Sequence, residues 1–160
     1  MLEIRAATEP DVPLILEFIR GLADYEKLAD RVVATEAILR ESLFGRRQYA
    51  EVLIAEAEGD PAGFAIFFHN YSTFIGRQGI YLEDLFVKPQ YRGLGYGKAL
   101  LVRLAALARE RNCGRVEWAV LNWNKPAIDF YESIGAVSMN EWTVYRLAGD
   151  ALETLAAQQV

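Results

Sequence analysis

The sequence predicts a single α/β domain, residues 1–160, built on a mixed, mostly antiparallel sheet that is flanked by helices. Its 160 residues are the length of one ordinary domain with a single hydrophobic core. The middle of the chain contains three successive strand patterns separated by short turns, as in an antiparallel meander. Helical and strand patterns alternate after the meander, which favours a mixed sheet over a purely parallel one.

The chain begins with a strand pattern and two helical patterns. Residues 2–7 alternate as a short strand, and residues 8–11 (TEPD) combine the capping hydroxyl, early proline and early acids of a helix start. We expect this first helix to run to about Tyr25 and Thr35 to cap a second helix through Phe44. The first helix presents one apolar face: Leu14, Ile15, Phe18, Ile19 and Leu22.

The remaining elements follow from turn signals and hydrophobic periodicity. The meander strands are predicted at residues 50–57, 63–70 and 80–87, with a turn at residues 58–61 (EGDP). Four elements then alternate between helix and strand: residues 97–112, 115–121, 126–134 and 142–147. A short helix at residues 150–157 completes the prediction.

Composition and charge exclude several classes of function. The net charge of −5 argues against a broad nucleic-acid interface and fits a cationic partner better, although mild acidity also serves solubility. No apolar run approaches the ~20 residues of a membrane span, and residues 1–8 lack signal-peptide features. The single cysteine, Cys113, and the single histidine, His69, are too few for a Cys/His metal site. We therefore expect a cytoplasmic protein without a metal.

Two adjacent carboxylates lie at the centre of an apolar strand pattern, residues 81–87 (YLEDLFV). Moving an ionised carboxylate out of water costs several kcal/mol unless it is paired, hydrogen-bonded or protonated, so Glu83 and Asp84 are candidates for function. Successive residues of a strand face opposite sides, so one of the two is expected to face a substrate cleft. The alternative for Glu83 is a carboxylate that caps a strand bulge.

A glycine-rich loop follows this strand at residues 90–98 (QYRGLGYGK). Three alternating glycines leave backbone amides uncovered at the start of a helix, and Arg92 and Lys98 add positive charge, which together indicate a phosphate site. The alternative is a plain strand-to-helix turn. A nucleotide P-loop is excluded, because Arg92 occupies its first glycine position and Ala99 follows the lysine. The spacing G-x-G-x-G also fails the dinucleotide fingerprint.

Three sequence blocks resemble the GCN5-related N-acetyltransferase (GNAT) superfamily. The loop resembles its R-x-x-G-x-G acyl-CoA pyrophosphate motif, and YLEDLFVKPQYRG resembles the strand that precedes that motif. A later block resembles its N-x-x-A-x-x-F-Y helix, matched by Asn124, Ala127, Phe130 and Tyr131. Within the superfamily, YLEDLFV, WN-x-PAI-x-FY and LADYEKL are most similar to the spermidine/spermine and thialysine acetyltransferases.

This resemblance implies a sheet splayed between the fourth and fifth strands, with acetyl-CoA lying in the splay. It also implies that such an enzyme is commonly a homodimer. By resemblance, the backbone of three strand residues contacts the pantetheine arm: Leu85, Phe86 and Val87. The pyrophosphate is held by the loop: Arg92, Gly93, Leu94, Gly95, Tyr96, Gly97 and Lys98. Asn124 and Ala127 contact the cofactor beside them.

The chemistry of acetyl transfer to an amine requires a base and an acid. A protonated amine must lose a proton before it attacks, and the resemblance assigns that proton to Glu83 through water. The departing thiolate needs a proton, for which the resemblance points to Tyr131, whose hydroxyl pKa of ~10 suits the transfer. Tyr131 could instead simply pack its helix against the sheet.

The acceptor end depends on further acids beside aromatic rings, an arrangement that suits alkylammonium groups. The resemblance places Tyr25, Glu26 and Glu141 there. The alternative is that Glu26 and Glu141 are ordinary surface acids. Asp84 could belong either to the site or to the structural scaffold. The chain departs from its polyamine relatives at Asn122, where they tend to carry an acid, and in a shorter segment after residue 135.

The resemblance therefore implies an acetyl-CoA-dependent N-acetyltransferase acting by direct attack on a small cationic amine. The acceptor could be a diamine, a polyamine, a lysine-like amine or an aminoglycoside-like molecule. Two alternatives are a non-catalytic acyl-CoA sensor and an acetyltransferase of a protein or peptide amine.

Overall fold

The computed structural model describes residues 1–158 and confirms the predicted α/β class. Five strands form one sheet in the order β1-β2-β3-β4-β5. These strands are β1 Leu2–Ala6, β2 Glu51–Ala57, β3 Asp60–Ser72, β4 Arg77–Val87 and β5 Val116–Trp118. The first three pairings are antiparallel and the β4–β5 pairing is parallel. The sheet is therefore mixed and mostly antiparallel, as predicted.

Five α-helices accompany the strands along the described chain. They are α1 Val12–Tyr25, α2 Glu36–Phe44, α3 Tyr96–Glu110, α4 Lys125–Ser133 and α5 Gly149–Ala156. The predicted cap of α2 is confirmed, because the Thr35 hydroxyl accepts a hydrogen bond from the amide of Ile38 at 3.3 Å. Among residues 1–158, no helix is long and apolar enough to cross a bilayer.

The chain divides into two compact units, Met1–Ala119 and the residues from Val120 onward. In the first unit, the predicted apolar face of α1 forms the core. Ile15 and Phe18 are fully buried, and the ring of Phe18 stacks on that of Phe64 with 5.2 Å between their centroids. Since β3 supplies Phe64, this contact fixes α1 against the sheet.

The second unit contains α4 and α5 and corrects the last predicted strand. Residues 142–147 form no strand, and within the described chain the backbone of residues 143–147 makes no backbone hydrogen bond. Their side chains are exposed, Val144 by 89% and Tyr145 by 92%. The β-type composition of WTVYRL was a correct local signal, but a strand exists only where a neighbouring strand supplies its hydrogen bonds.

Candidate active site

A bulge in β4 lies at Glu83. Phe67 of β3 pairs with Leu82 of β4, and the preceding residue, Ile66, pairs with Asp84, so Glu83 has no partner on β3. An extra residue of this kind interrupts the alternation of side chains along a strand. The bulge therefore decides which face of the sheet each of the two carboxylates occupies.

Asp84 shares the face of the sheet that Tyr81 occupies. Tyr81 pairs with Phe68 and Asp84 with Ile66, and Phe68 and Ile66 lie on one face because they are two residues apart on β3. Ile66 packs against the core beneath α1. Without the bulge, strict alternation would have put Asp84 and Tyr81 on opposite faces.

The charges of two carboxylates act on a third carboxylate, that of Asp84, at this bulge. Burial first, and then the charges of Glu83 and Glu26, raise the pKa of Asp84 to about 6. Burial also raises the pKa of Glu26, the residue that directly follows α1. We call Glu26, Glu83 and Asp84 the acidic cluster. The charge of Glu26, at the end of α1, therefore reaches Asp84 on β4.

The aromatic residue nearest to the bulge on the same strand is affected as well. Burial, followed by the charges of Glu83 and Glu117, raises the pKa of Tyr81. Tyr81 pairs with Glu117 of β5, so the negative potential extends along β4 as far as its contact with β5. Tyr81 and Glu117 were not among the predicted site residues, because their proximity depends on the parallel pairing of β4 with β5.

The pairing of β4 with β5 stops just before the bulge. The paired residues are Ile80 with Val116, Tyr81 with Glu117 and Leu82 with Trp118. Strand β4 continues to Val87, and within the described residues no strand pairs with it on this side beyond Leu82. The backbone of residues 83–87 therefore presents an open edge, which agrees with the splay expected between the fourth and fifth strands.

The glycine loop adopts the backbone that its sequence demands. Gly93 and Gly95 have φ values of +74° and +87°, and a Cβ at either position would meet no atom within 4 Å. Glycine is therefore needed at these two positions for backbone conformation rather than for space. At Gly97, a Cβ would lie 3.7 Å from the side chain of Leu85, an ordinary contact with β4.

Helix α3 begins directly after this loop with unpaired amides. Its first helical turn closes with the hydrogen bond from the Ala99 amide to the Gly95 carbonyl at 2.9 Å. The amides of Tyr96, Gly97 and Lys98 precede this bond and have no intrahelical acceptor. Amides at a helix N-terminus favour a bound anion, and the loop supplies the backbone turn that leaves them accessible.

Arg92 has a more specific environment than the sequence indicated. Its Nε–H donates to the carbonyl of Val87 at 2.9 Å. Its guanidinium carbon lies 4.8 Å from the ring centroid of Tyr25 and 5.5 Å from that of Phe86. These contacts join the start of the loop to the end of β4 and the end of α1.

The second unit carries the other predicted residues. Asn124 caps α4, and its Oδ1 accepts a hydrogen bond from the amide of Ala127 at 3.4 Å. Tyr131 lies two turns further along α4, and its partly buried ring lies 5.7 Å from that of Phe130. The spacing of Asn124, Ala127 and Tyr131 places them on one side of α4. Glu141 is exposed and lies outside any helix or strand.

Comparison with known proteins shows the family. The model of the acetyltransferase (GNAT) family matches residues 18–136. The chain belongs to the GNAT acetyltransferases. The match includes the bulge, the glycine loop and α4, and it confirms the resemblance on which the expected N-acetyltransferase activity rests. This GNAT enzyme accordingly has acetyl-CoA as its expected cosubstrate.

Individual relatives cover nearly the whole enzyme. It is 41% identical over 166 residues to the thialysine N-epsilon-acetyltransferase of Bos taurus, covering 97% of each chain. It is 35% identical over 197 residues to an L-ornithine N5-acetyltransferase of Arabidopsis thaliana, covering 95% of this chain and 86% of the relative. A V. cholerae integron cassette protein has a similar structure, with a TM-score of 0.82, 30% identity and 98% coverage of both chains.

Proposed function

We propose that this GNAT enzyme transfers an acetyl group from acetyl-CoA to the primary amine of a small cationic acceptor by direct attack. We include diamines, polyamines and lysine-like amines in this class, and we treat residues 1–160 as one catalytic domain. The acidic cluster carries the proposal, because Glu83 and Asp84 are adjacent at the bulge beside the open strand edge, and the charges of Glu83 and Glu26 both act on Asp84. An acceptor with positive charge relieves their mutual repulsion. The relatives named as thialysine and ornithine acetyltransferases support the same class.

The residues present fit acetyl-CoA. The unpaired amides of residues 96–98 suit its diphosphate, and the open edge of β4 at residues 85–87 suits the amide groups of its pantetheine arm. Acetyl-CoA supplies a thioester whose carbonyl carbon is open to attack by an unprotonated amine. Among residues 1–158, no group of three or more His, Cys, Asp or Glu side chains has an arrangement that could hold a metal ion.

We assign the handling of protons to two residues. Glu83 is exposed at the bulge, where it can attract the ammonium group and accept its proton through water. Asp84, with a pKa of about 6, holds the second positive charge of the acceptor once it is ionised. Tyr131 donates a proton to the departing thiolate, and Asn124 and Ala127 lie on the same side of α4 as Tyr131.

A turnover assay tests this proposal directly. The protein is mixed with acetyl-CoA and a panel containing thialysine, ornithine, lysine, putrescine, spermidine and a peptide with a free N-terminus, and thiol release is followed. We expect release with the small dicationic amines and a large loss of kcat/KM in Glu83→Gln. The control Glu3→Gln removes an exposed acid from β1 and leaves the rate unchanged. The proposal is contradicted if thiol is released only with the peptide, or if no amine of the panel leads to thiol release.

We also propose that the enzyme is a homodimer. The C-terminal apolar segment, residues 137–147, exposes more apolar surface than an isolated soluble chain usually tolerates: Val137, Met139, Trp142, Val144, Tyr145 and Leu147. Its aromatic side chains alone offer on the order of 150–250 Å² each, and a symmetric contact doubles the buried area. A second copy is therefore a suitable partner for this segment.

Sedimentation velocity tests the dimer. We expect a mass of twice the 18.0 kDa of one chain and a shift toward the monomer in Tyr145→Ser. The control Tyr71→Ser removes an exposed ring from β3 of the first unit and leaves the mass unchanged. A wild-type protein that sediments as a monomer at micromolar concentration refutes the dimer.

A further inference from the structure

Arg92 makes contacts that a phosphate ligand does not require. Its Nε–H is directed at the carbonyl of Val87, and its planar group lies over two aromatic rings, those of Tyr25 and Phe86. A guanidinium suits this arrangement, because it combines a directed donor with a flat, weakly hydrated face. A lysine ammonium keeps the charge but has neither the Nε–H donor nor the flat face.

These contacts connect the two ends of the site in the first unit. Arg92 opens the glycine loop, and Tyr25 is the last residue of α1. The next residue, Glu26, is part of the acidic cluster and acts electrostatically on Asp84. The path from loop to acidic cluster is therefore a single stacked contact followed by one peptide bond.

Arg92 contacts Tyr25 at the point where the chain leaves α1. Tyr25 is the last helical residue and is 39% exposed, and Lys27, two residues further on, has a left-handed backbone with φ of +61°. Helix ends fray readily, and a residue with positive φ marks the point at which α1 turns away. A ring fixed at the last helical position determines where the chain of Glu26 leaves the helix.

We propose that Arg92 is a positioning residue for the amine acceptor: by stacking on Tyr25 it holds Glu26 in the acidic cluster beside Asp84. This role is additional to any charge that Arg92 lends to the loop, and it rests on the proposed function. It predicts that acceptor binding depends on the Tyr25 ring and on the guanidinium together, through one shared contact.

A double-mutant cycle on the full-length enzyme tests the inference. The variants are Tyr25→Leu, Tyr25→Phe, Arg92→Lys and the double variant Tyr25→Leu/Arg92→Lys, with Arg109→Lys at an exposed position of α3 as the control. The readouts are the KM for the amine that the wild type acetylates fastest, kcat, and the Kd of CoA by calorimetry. Together they separate acceptor positioning from chemistry and from cofactor binding.

We expect Tyr25→Leu to raise the acceptor KM about fivefold while the Kd of CoA stays within twofold, as loss of an exposed cation–π contact suggests. Tyr25→Phe keeps the ring and its contact with Arg92, and should raise the acceptor KM less than Tyr25→Leu does. Arg92→Lys should also raise the acceptor KM about fivefold. In that background Tyr25→Leu should have no further effect, because the shared contact is already lost.

Several results overturn the inference. An unchanged acceptor KM in Arg92→Lys does so, and so does a fivefold effect of Tyr25→Leu that persists in full in the Arg92→Lys background. If Arg92→Lys fails to fold, Tyr25→Leu and Tyr25→Phe decide, and equal KM values for these two contradict the inference. A wild type that acetylates no amine overturns the proposed function and the inference together, whereas normal turnover with additive effects overturns the inference alone.

Discussion

Replacing Asp84 by asparagine should stabilise the protein at neutral pH, at the expense of acceptor binding. The Asp84 pKa of about 6 lies above the ordinary aspartate value of 3.8, so the folded state binds a proton more tightly than the unfolded state. The raised pKa therefore favours folding below about pH 4, and this advantage is lost as the pH rises through 6. Asparagine is neutral at every pH and avoids the loss.

The magnitude follows from the two pKa values. Linkage gives an ionisation cost of about 3 kcal/mol at pH 7.5 and about 1 kcal/mol at pH 4.5, using 1.36 kcal/mol for each pKa unit. Urea unfolding of wild type and Asp84→Asn at both pH values measures the difference in free energy of unfolding. The gain of the variant should shrink by about 2 kcal/mol between pH 7.5 and pH 4.5.

The matched control is Asp60→Asn, which makes the same chemical change at the exposed first residue of β3. Its free energy of unfolding should follow that of the wild type at both pH values. The reasoning is refuted if Asp84→Asn is no more stable than the wild type at pH 7.5. It is also refuted if its gain is equally large at both pH values, because ionisation would then not be the cause.

Two further predictions concern packing and catalysis. Gly63→Ala should lower the free energy of unfolding, measured in urea, by about 1–3 kcal/mol, because the added Cβ would lie 2.5 Å from the carbonyl oxygen of Phe86. The control Gly97→Ala should not, because its Cβ would lie 3.7 Å from its nearest neighbour. Equal losses in the two variants would contradict this packing argument. Tyr131→Phe should lower kcat about a hundredfold and leave the Kd of CoA unchanged, as expected for loss of a general acid. An unchanged kcat would exclude the Tyr131 hydroxyl from proton transfer, and Tyr49→Phe, at an exposed tyrosine, is the control.

Hydrophobic periodicity was sufficient for the parts of the fold that pack locally. The apolar face of α1 is a property of the helix itself, so Ile15 and Phe18 could be assigned to the core from their spacing. The cap at Thr35 was equally readable, because an N-cap depends on residues three positions apart. These predictions needed no knowledge of the rest of the chain.

The features that depend on pairing between distant segments could not be predicted in this way. The sequence allowed a bulge at Glu83 only as an alternative, because the bulge depends on the register of β4 with β3, and strict alternation would have separated Asp84 from Tyr81. The sequence therefore did not decide whether Asp84 is a site residue or a structural residue. The predicted strand at residues 142–147 was wrong for a related reason, since its composition contains no information on whether a partner strand is present.

The acidic cluster and the Arg92 contact show the same limit. The sequence placed Glu26 near the acceptor only by resemblance. The structure brings the end of α1 close enough to β4 for the charge of Glu26 to raise the pKa of Asp84. The stacking of Arg92 on Tyr25 joins residues that are distant in sequence, and no local motif encodes it. The sequence predicted an anion site at the loop, whereas the fold determined which side chains that loop contacts.

Calorimetric titration of CoA into the wild type and Gly95→Val tests the central claim most directly. The claim is that the left-handed loop glycines expose the α3 amides for a CoA diphosphate. Valine at φ of +87° forces the loop into another conformation. We predict one CoA bound per wild-type chain and at least tenfold weaker binding in the variant, with the thermal unfolding of both recorded as a control. No heat from the wild type, or equal affinity in the two proteins, would contradict the account.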